Sequence, residues 1–473
     1  VSLAELRAPL EAVGDSAWIV GGGLRDALLG RPVADVDVAI AGDPGAAAAR
    51  LARAHRAHRF PLSEEFGAWR LSGGTLPVQV DITPLQGGTL AADLALRDLT
   101  VNAMALPVAG PAVLIDPHGG RADLDARRLR AVRSAAFAAD PVRILRTARL
   151  AEQLGFEIDS QTAGWAAAAT PALWSKAPER LRDELYRMMG LPRAWRAFEV
   201  LDGLGGLAAL VPELEGARGL AQSEYHHKDV LGHVLEVVEH CCALREDPAA
   251  VFRGDGPAVA EVLAEPLADG LTRGQLLALS GLLHDMAKPA TRGELPNGRV
   301  TFLGHDRLGA QMADALALRL RTATRVREIV VMCVAEHLQL GFLVHRQPLA
   351  LRRIDDYLRR TRLAPVEMIL LSVADRLATR GPRAHEIQIT RHLELARSVM
   401  HAHLQLRARE PITSPIPGDV LAAQLGRVPG PWLGEVLAEI RAAQLAGPIS
   451  PQRALRVAER WLEAHPDAAG SAP

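Results

Sequence analysis

Asp35 and Asp37, one residue apart in the run Asp35-Val36-Asp37-Val38-Ala39-Ile40, restrict the fold more than any other feature of this chain. Successive side chains on a β-strand face opposite ways, so a strand here turns both carboxylates to the same side, where they can share a pair of divalent cations. Just upstream, Gly21-Gly22-Gly23 separates the apolar run Ala17–Val20 from a helical pattern starting near Leu24. Backbone N–H groups and the dipole of a helix starting there can cradle phosphates, and Arg25, one turn in, can add charge-assisted hydrogen bonds. Taken alone, the glycines fit a tight strand-to-helix turn equally well. Together with the two carboxylates they point to phosphoryl or nucleotidyl transfer, in which one metal ion activates an attacking hydroxyl and another holds the triphosphate and leaving pyrophosphate. Asp81, ending the apolar run Val78-Gln79-Val80, is the candidate third carboxylate; a turn residue at a strand end is the competing reading.

With 473 residues the chain is long enough for two or more domains. Short apolar runs at Ala17–Val20, Val36–Ile40, Val78–Ile82 and Val113–Ile115 alternate with helical patterns and predict a mixed α/β region up to about Val132. After Asp140-Pro141 the strand signal gives way to helical periodicity, and everything downstream is expected to be helical. A Pro/Gly-rich stretch from Asp247 to Gly274 reads as an exposed insertion, and the cluster from Pro411 to Pro417 as a last boundary.

The formal charge of -1 hides an uneven make-up, since lysine occurs only at 176, 228 and 288 and the remaining basic charge is arginine. Arginine suits bidentate phosphate contacts, although genome composition produces the same bias. Between Arg121 and Arg149, arginines outnumber nearby acids, enough to attract a polyanion. The cysteines, Cys241, Cys242 and Cys333, form no disulfide framework and no zinc-knuckle spacing, and read as buried free thiols in a reducing compartment. No signal peptide and no apolar run of spanning length is expected, which favours a cytosolic protein without a membrane partner.

Four further motifs follow the first in order: Leu96-Arg97-Asp98-Leu99-Thr100-Val101-Asn102, Asp116-Pro117-His118-Gly119-Gly120-Arg121, Asp140-Pro141-Val142-Arg143-Ile144-Leu145-Arg146 continuing to Arg149, and Glu179-Arg180-Leu181-Arg182-Asp183-Glu184. With a later Pro429-Gly430-Pro431 segment, this order resembles the class II tRNA nucleotidyltransferase and poly(A) polymerase family along nearly the whole chain. The resemblance implies an α+β fold: a mixed-sheet, polymerase-beta-like head at 1–139, an all-α neck and body at 140–215, an α-helical HD domain at 216–405 and a helical tail at 406–473. It also implies that Gly22 and Arg25 hold the triphosphate, that Asp35 and Asp37 hold Mg²⁺, and that Arg97 contacts the nucleotide with help from Asn102. Asp140 and Arg143 would read the base, supported by Arg146 and Arg149. Asp140, Arg143 and Arg146 recur every three residues, close to one helical face. Asp140-Pro141 also has the form of a helix N-cap followed by proline at the first helical position.

Three departures matter. Ala139 stands where a Glu usually precedes the base-reading Asp, and Leu96 where an Arg usually stands. The segment Thr83-Pro84-Leu85-Gln86-Gly87-Gly88-Thr89-Leu90 is also much shorter than the flexible loop that most CCA-adding members carry. In that family the loop helps reshape the pocket from CTP to ATP, so the short segment implies CC addition ahead of full CCA addition. The implied partners are tRNA and CTP, with ATP a second substrate if the terminal A is added.

A second constellation, His233, His284-Asp285 and Asp375, has the order of the HD phosphohydrolase superfamily, with His305 and His337 as further ligands or phosphate contacts. Such a site holds a divalent transition metal or Mg²⁺ and activates water on a phosphoester. A poly(A) polymerase, or an HD phosphohydrolase with an RNA-binding head, are the alternative readings.

Overall fold

The computed structural model describes residues 3–466 apart from 15, 64–66, 347, 409–412 and 446, so Pro411 of the expected boundary lies outside the described residues. The chain divides into two compact units, Val1–Pro212 and Glu213–Pro473.

The first unit is built on a six-stranded mixed sheet of β1 (Ala17–Val20), β2 (Asp35–Ile40), β3 (His58–Ser63), β4 (Ala68–Ser72), β5 (Gln79–Pro84) and β6 (Ala105–Pro107), in the order β3-β4-β5-β2-β1-β6. β2 and β5 run parallel; the other neighbours are antiparallel. In the β2/β5 ladder Val36 pairs with Val80 and Val38 with Ile82, all four buried in the core, while Asp37 pairs with Asp81 on the opposite face. Helix α1 (Gly21–Leu28) follows β1 and lies against the start of β2 so closely that a Cβ at Gly23 would stand 2.6 Å from the Asp35 carbonyl oxygen. Helix α2 (Pro44–His55), capped by the Asp43 carboxylate accepting from the Gly45 N–H, contributes Ala47, Ala48 and Leu51 to the core.

Several sequence expectations are corrected here. The glycines are themselves the first turn of α1, which therefore begins at Gly21 and not near Leu24. Val113–Ile115 is not a strand: it makes a single bridge, Ile115 to Ala105, after Pro111. Asp81 sits within β5 and not at its end. Strand pairing also continues past Asp140, where Glu157–Ile158 pairs with Arg128–Leu129 and Gly293–Glu294 with Val300–Thr301. Each of these ladders spans two residues per strand, too short to leave a period in the sequence.

The second unit is helical around α3 (Val230–Glu246), α4 (Arg273–Leu283), α5 (His305–Arg319), α6 (Thr324–Glu336), α7 (Pro365–Ala378) and α8 (Glu386–Arg407). A capping box between Thr272 and Gln275 starts α4. The stretch expected to be an exposed insertion instead folds into two short helices, Ala249–Phe252 and Gly256–Ala264, which bury Phe252, Val259 and Leu263. Three C-terminal helices, Gly418–Gln424, Pro431–Leu445 and Pro451–Ala464, pack around Leu421, Trp432, Val436 and Ile440. All three cysteines are free and buried. Among the described residues one segment, Thr324–Arg346, is long and apolar enough to cross a membrane by length and composition, contrary to expectation. Its helix breaks after Glu336, and Ile329, Val330 and Cys333 are buried, although only 33% of its most apolar window is buried.

Candidate functional site

The β2/β5 register places Asp35, Asp37 and Asp81 on one side of the sheet, away from the valines of the core. Burial pushes the Asp37 carboxyl up to about 6, against the pull of Arg97 and with repulsion from Asp35 and Asp81. Three acids crowding one another in this way fit a site for divalent cations. Arg70 meanwhile holds Asp81 by two hydrogen bonds, Nε to Oδ1 at 2.8 Å and Nη2 to Oδ2 at 2.7 Å.

Beside Asp37 opens a cavity of about 380 Å³ lined by Gly21, Arg97, Asn102, Asp140, Arg143 and Arg146 among others. Gly21, at φ +75°, lets the chain pass under the acids, where a Cβ would stand 2.7 Å from Asp37 Oδ2. Arg97 is oriented by Asp93, whose Oδ2 accepts from Nε at 3.1 Å and Nη2 at 3.0 Å. The Asn102 amide donates to Asp98 Oδ1 and its oxygen accepts from Arg25 Nη1 at 2.8 Å.

Arg25, expected to hold the triphosphate, and Arg149, expected to support the nucleotide and the reading of its base, lie behind this wall. Arg25 is buried, committed to Asp26 and Asn102, with its guanidinium packed beneath Gly22, so it braces Asn102. Arg149, on α9 (Arg143–Leu154), donates to Glu184 Oε2 at 2.8 Å and to Gln153 Oε1 at 2.7 Å. Arg146 does face the cavity, with Nε 2.8 Å from Asp98 Oδ2. Burial would raise the Asp98 pKa, but the charges of Arg146 and Arg143 and the hydrogen bonds from Asn102 and the Leu99 N–H outweigh it and hold it at about 2.

Asp140 does not cap α9. The helix begins at Arg143, whose N–H donates to the Asp140 carbonyl, and no side chain caps it. Instead the Asp140 carboxylate accepts from Arg180, Nη1 to Oδ1 at 3.0 Å and Nη2 to Oδ2 at 2.6 Å, with Arg143 Nε 3.7 Å from Oδ2. Arg180, Asp183, Glu184 and Arg187 on α10 (Pro178–Met189) complete the wall. Asp98, Arg180, Asp183 and Glu184 stand inside two of the sequence motifs without being singled out there, and Arg187 lies beyond the second motif. The short segment after β5 is a tight turn with Gly87 and Gly88 at φ +72° and +78°, tied by the Gln86 N–H to Asp93 Oδ1 at 3.0 Å.

In the second unit all six expected residues converge. Two groups, His233 with His284 and Asp375, and Asp285 with His305 and His337, each have ligand atoms within 4.8 Å of one another. Asp285 links them, with Oδ2 3.0 Å from His284 Nε2 and 3.5 Å from His233 Nε2, and Oδ1 3.3 Å from His305 Nε2. His284, His305 and His337 each place Nδ1 against the carbonyl three residues earlier, at 2.8, 2.6 and 2.7 Å. The ring proton therefore sits on Nδ1, and Nε2 offers its lone pair to the centre. His233 Nδ1 is buried without a hydrogen-bond partner, and its Nε2 stands 3.1 Å from Asp375 Oδ1. Burial pushes the His337 imidazole down to about 4, which keeps it neutral. This donor set fits one or two divalent ions. Lys288 Nζ stands 2.6 Å from Asp285 Oδ2. A cavity of about 830 Å³ reaches the cluster and is lined by Tyr225, His337, Phe342, Asp375, Arg376 and His392 among others.

Three family models match successive parts of the chain. Residues 17–130 match the family described as "Poly A polymerase head domain", 155–217 that described as "Probable RNA and SrmB- binding site of polymerase A", and 230–380 the HD domain. The chain is 35% identical to the A-adding tRNA nucleotidyltransferase of Deinococcus radiodurans over 97% of its own length and 99% of that protein. It is 32% identical to the CC-adding tRNA nucleotidyltransferase of Geobacter sulfurreducens over 95% and 92% of the two chains. A solved CCA-adding enzyme with ATP shares the fold at a TM-score of 0.66 and 19% identity, covering 98% of this chain and 95% of that one.

Proposed function

The chain belongs to the tRNA nucleotidyltransferase and poly(A) polymerase family, and on that premise we propose that it extends the 3′ end of tRNA without a nucleic-acid template. The observation that carries this reading is the β2/β5 register, which groups Asp35 and Asp81 with Asp37, the carboxylate that lines a cavity together with Asp140 and Arg143. Asp35, Asp37 and Asp81 would hold Mg²⁺, which supplies activation of the attacking hydroxyl and neutralises the triphosphate. Arg97 and Asn102 bind the phosphate and sugar portion, with Gly22 and Arg25 supporting them from beneath. Asp140 accepts from the base amino group and Arg143 donates to the ring nitrogen, while Arg146 and Arg149 hold the helix that carries Arg143. The head then spans 1–139, the neck and body 140–215, the HD domain 216–405 and the tail 406–473, and the enzyme works in the cytoplasm on tRNA.

Two nucleotide choices each have support. The tight turn in place of a long loop at 83–92 favours CTP and CC addition; the similarity to an A-adding relative over nearly both full lengths favours ATP and terminal A addition. Purified protein with Mg²⁺ is to be given three tRNA substrates, ending before CCA, after the first C and after CC, with CTP, ATP or both. Two C residues on the shortest substrate establish CC addition, and one A on the CC-ended substrate alone establishes A addition. No incorporation on any substrate rejects the transferase. The same reading makes the HD cluster a metal site, with a transition metal or Mg²⁺, that hydrolyses phosphoesters at RNA ends.

A further inference from the structure

We infer that Arg180 is a specificity-determining positioning residue, which fixes the plane of the Asp140 carboxylate and so decides which bases the pocket accepts; this rests on the transferase reading above. Asp140 lies between helices, at φ −147° and ψ 88°, where no helical hydrogen bond restrains its side chain. Two bonds from Arg180 engage both of its oxygens, and Arg143 Nε is too distant at 3.7 Å to do so. A fork of this kind fixes a carboxylate in orientation as well as position. A carboxylate has about four acceptor sites, and Arg180 takes only one on each oxygen, so others stay open for a base.

Arg180 can impose this geometry because its own helix is braced. One turn along α10, Glu184 is buried and accepts from Arg149 of α9 at 2.8 Å and from Arg187 at 2.7 Å. The helix that carries Arg143 and the helix that orients Asp140 are thereby clamped together. Cytosine and adenine present an amino group to such a carboxylate, whereas uracil and guanine present a carbonyl oxygen at the corresponding place. A carboxylate held in one plane accepts from the first pair and repels the second. Freed of Arg180, it can turn aside, and the distinction weakens.

The test measures kcat and KM for CTP, ATP, UTP and GTP on truncated tRNA with wild type, Arg180→Gln and Arg180→Lys, alongside thermal unfolding. For Arg180→Gln, KM for the preferred nucleotide should rise about tenfold, and discrimination against its keto counterpart should fall about tenfold, with kcat within about twofold, as expected for loss of a charged hydrogen-bond pair. Arg180→Lys should restore part of the discrimination. In an Asp140→Ala background the Arg180 substitution should change discrimination no further. An equal loss for every nucleotide with the ratio unchanged, or a full effect persisting without Asp140, overturns the inference. Wild-type protein inactive on every tRNA would refute the transferase reading instead, which separates the two failures.

Discussion

Gly21→Ala tests the geometry of the acid cluster through a single methyl group. The residue lies at φ +75°, and its Cβ would stand 2.7 Å from Asp37 Oδ2, about 0.7 Å inside ordinary contact at 3.4 Å, and 3.2 Å from Arg97 Nη1. The left-handed backbone alone costs about 1–2 kcal/mol for alanine. The clash adds a displacement of the Asp37 carboxylate larger than the ~0.5 Å within which a working site must hold its groups. A displacement near 1 Å costs about 100-fold in rate, so kcat should fall between about 10- and 100-fold. Gly30 supplies the control: at φ +66°, with nothing within 4 Å of its Cβ, Gly30→Ala carries the strain without the clash. Urea unfolding should show both variants destabilised by about 1–2 kcal/mol, while nucleotide incorporation at saturating substrate falls only for Gly21→Ala. Equal activity of the two variants would refute the claim that Asp37 must stay where this turn leaves it.

Asp98 titrates at about 2 against an ordinary 3.8, so its interactions with Arg146 and Asn102 contribute stability that is complete above about pH 4 and is lost as pH falls toward 2. Asp98→Asn should cost about 2 kcal/mol at pH 7, and the gap to wild type, followed by urea unfolding, should close between pH 4 and 2. In the second unit, Ni²⁺ or Mn²⁺ at 100 times its Kd should stabilise the protein by about 3 kcal/mol, an effect removed by chelator and absent in His284→Ala. An unchanged unfolding curve on metal addition, or an equal response from the variant, would count against the cluster as a metal site.

The sequence displays the parts of this molecule whose physics is local. β1, β2 and β5 alternate or run apolar because one face meets the core, and the acids of β2 follow from that alternation. β3 is hidden because it is an edge strand of polar character, with Phe60 and Leu62 exposed and Pro61 tolerated there. The helices at Ala249–Phe252 and Gly256–Ala264 are masked by Pro248, Gly254 and Pro257, residues that read as loop yet sit at helix starts or between helices. Asp140 looked like a cap because Asp-Pro is a common helix opening, but the partner that claims its carboxylate is Arg180, 40 residues away. Long-range pairing of that kind leaves no local signature. The six residues of the HD cluster are readable for the opposite reason: they stand in five short motifs, His284 and Asp285 sharing one, and only their meeting point comes from the fold.

The parallel ladder between β2 and β5 also insulates the acids from the turn that follows them. Asp37 and Asp81 are locked opposite each other by main-chain pairing that ends at Pro84, and the turn through Gly87 and Gly88 begins only beyond it. Residues can be inserted or deleted there without shifting the spacing of Asp37 and Asp81.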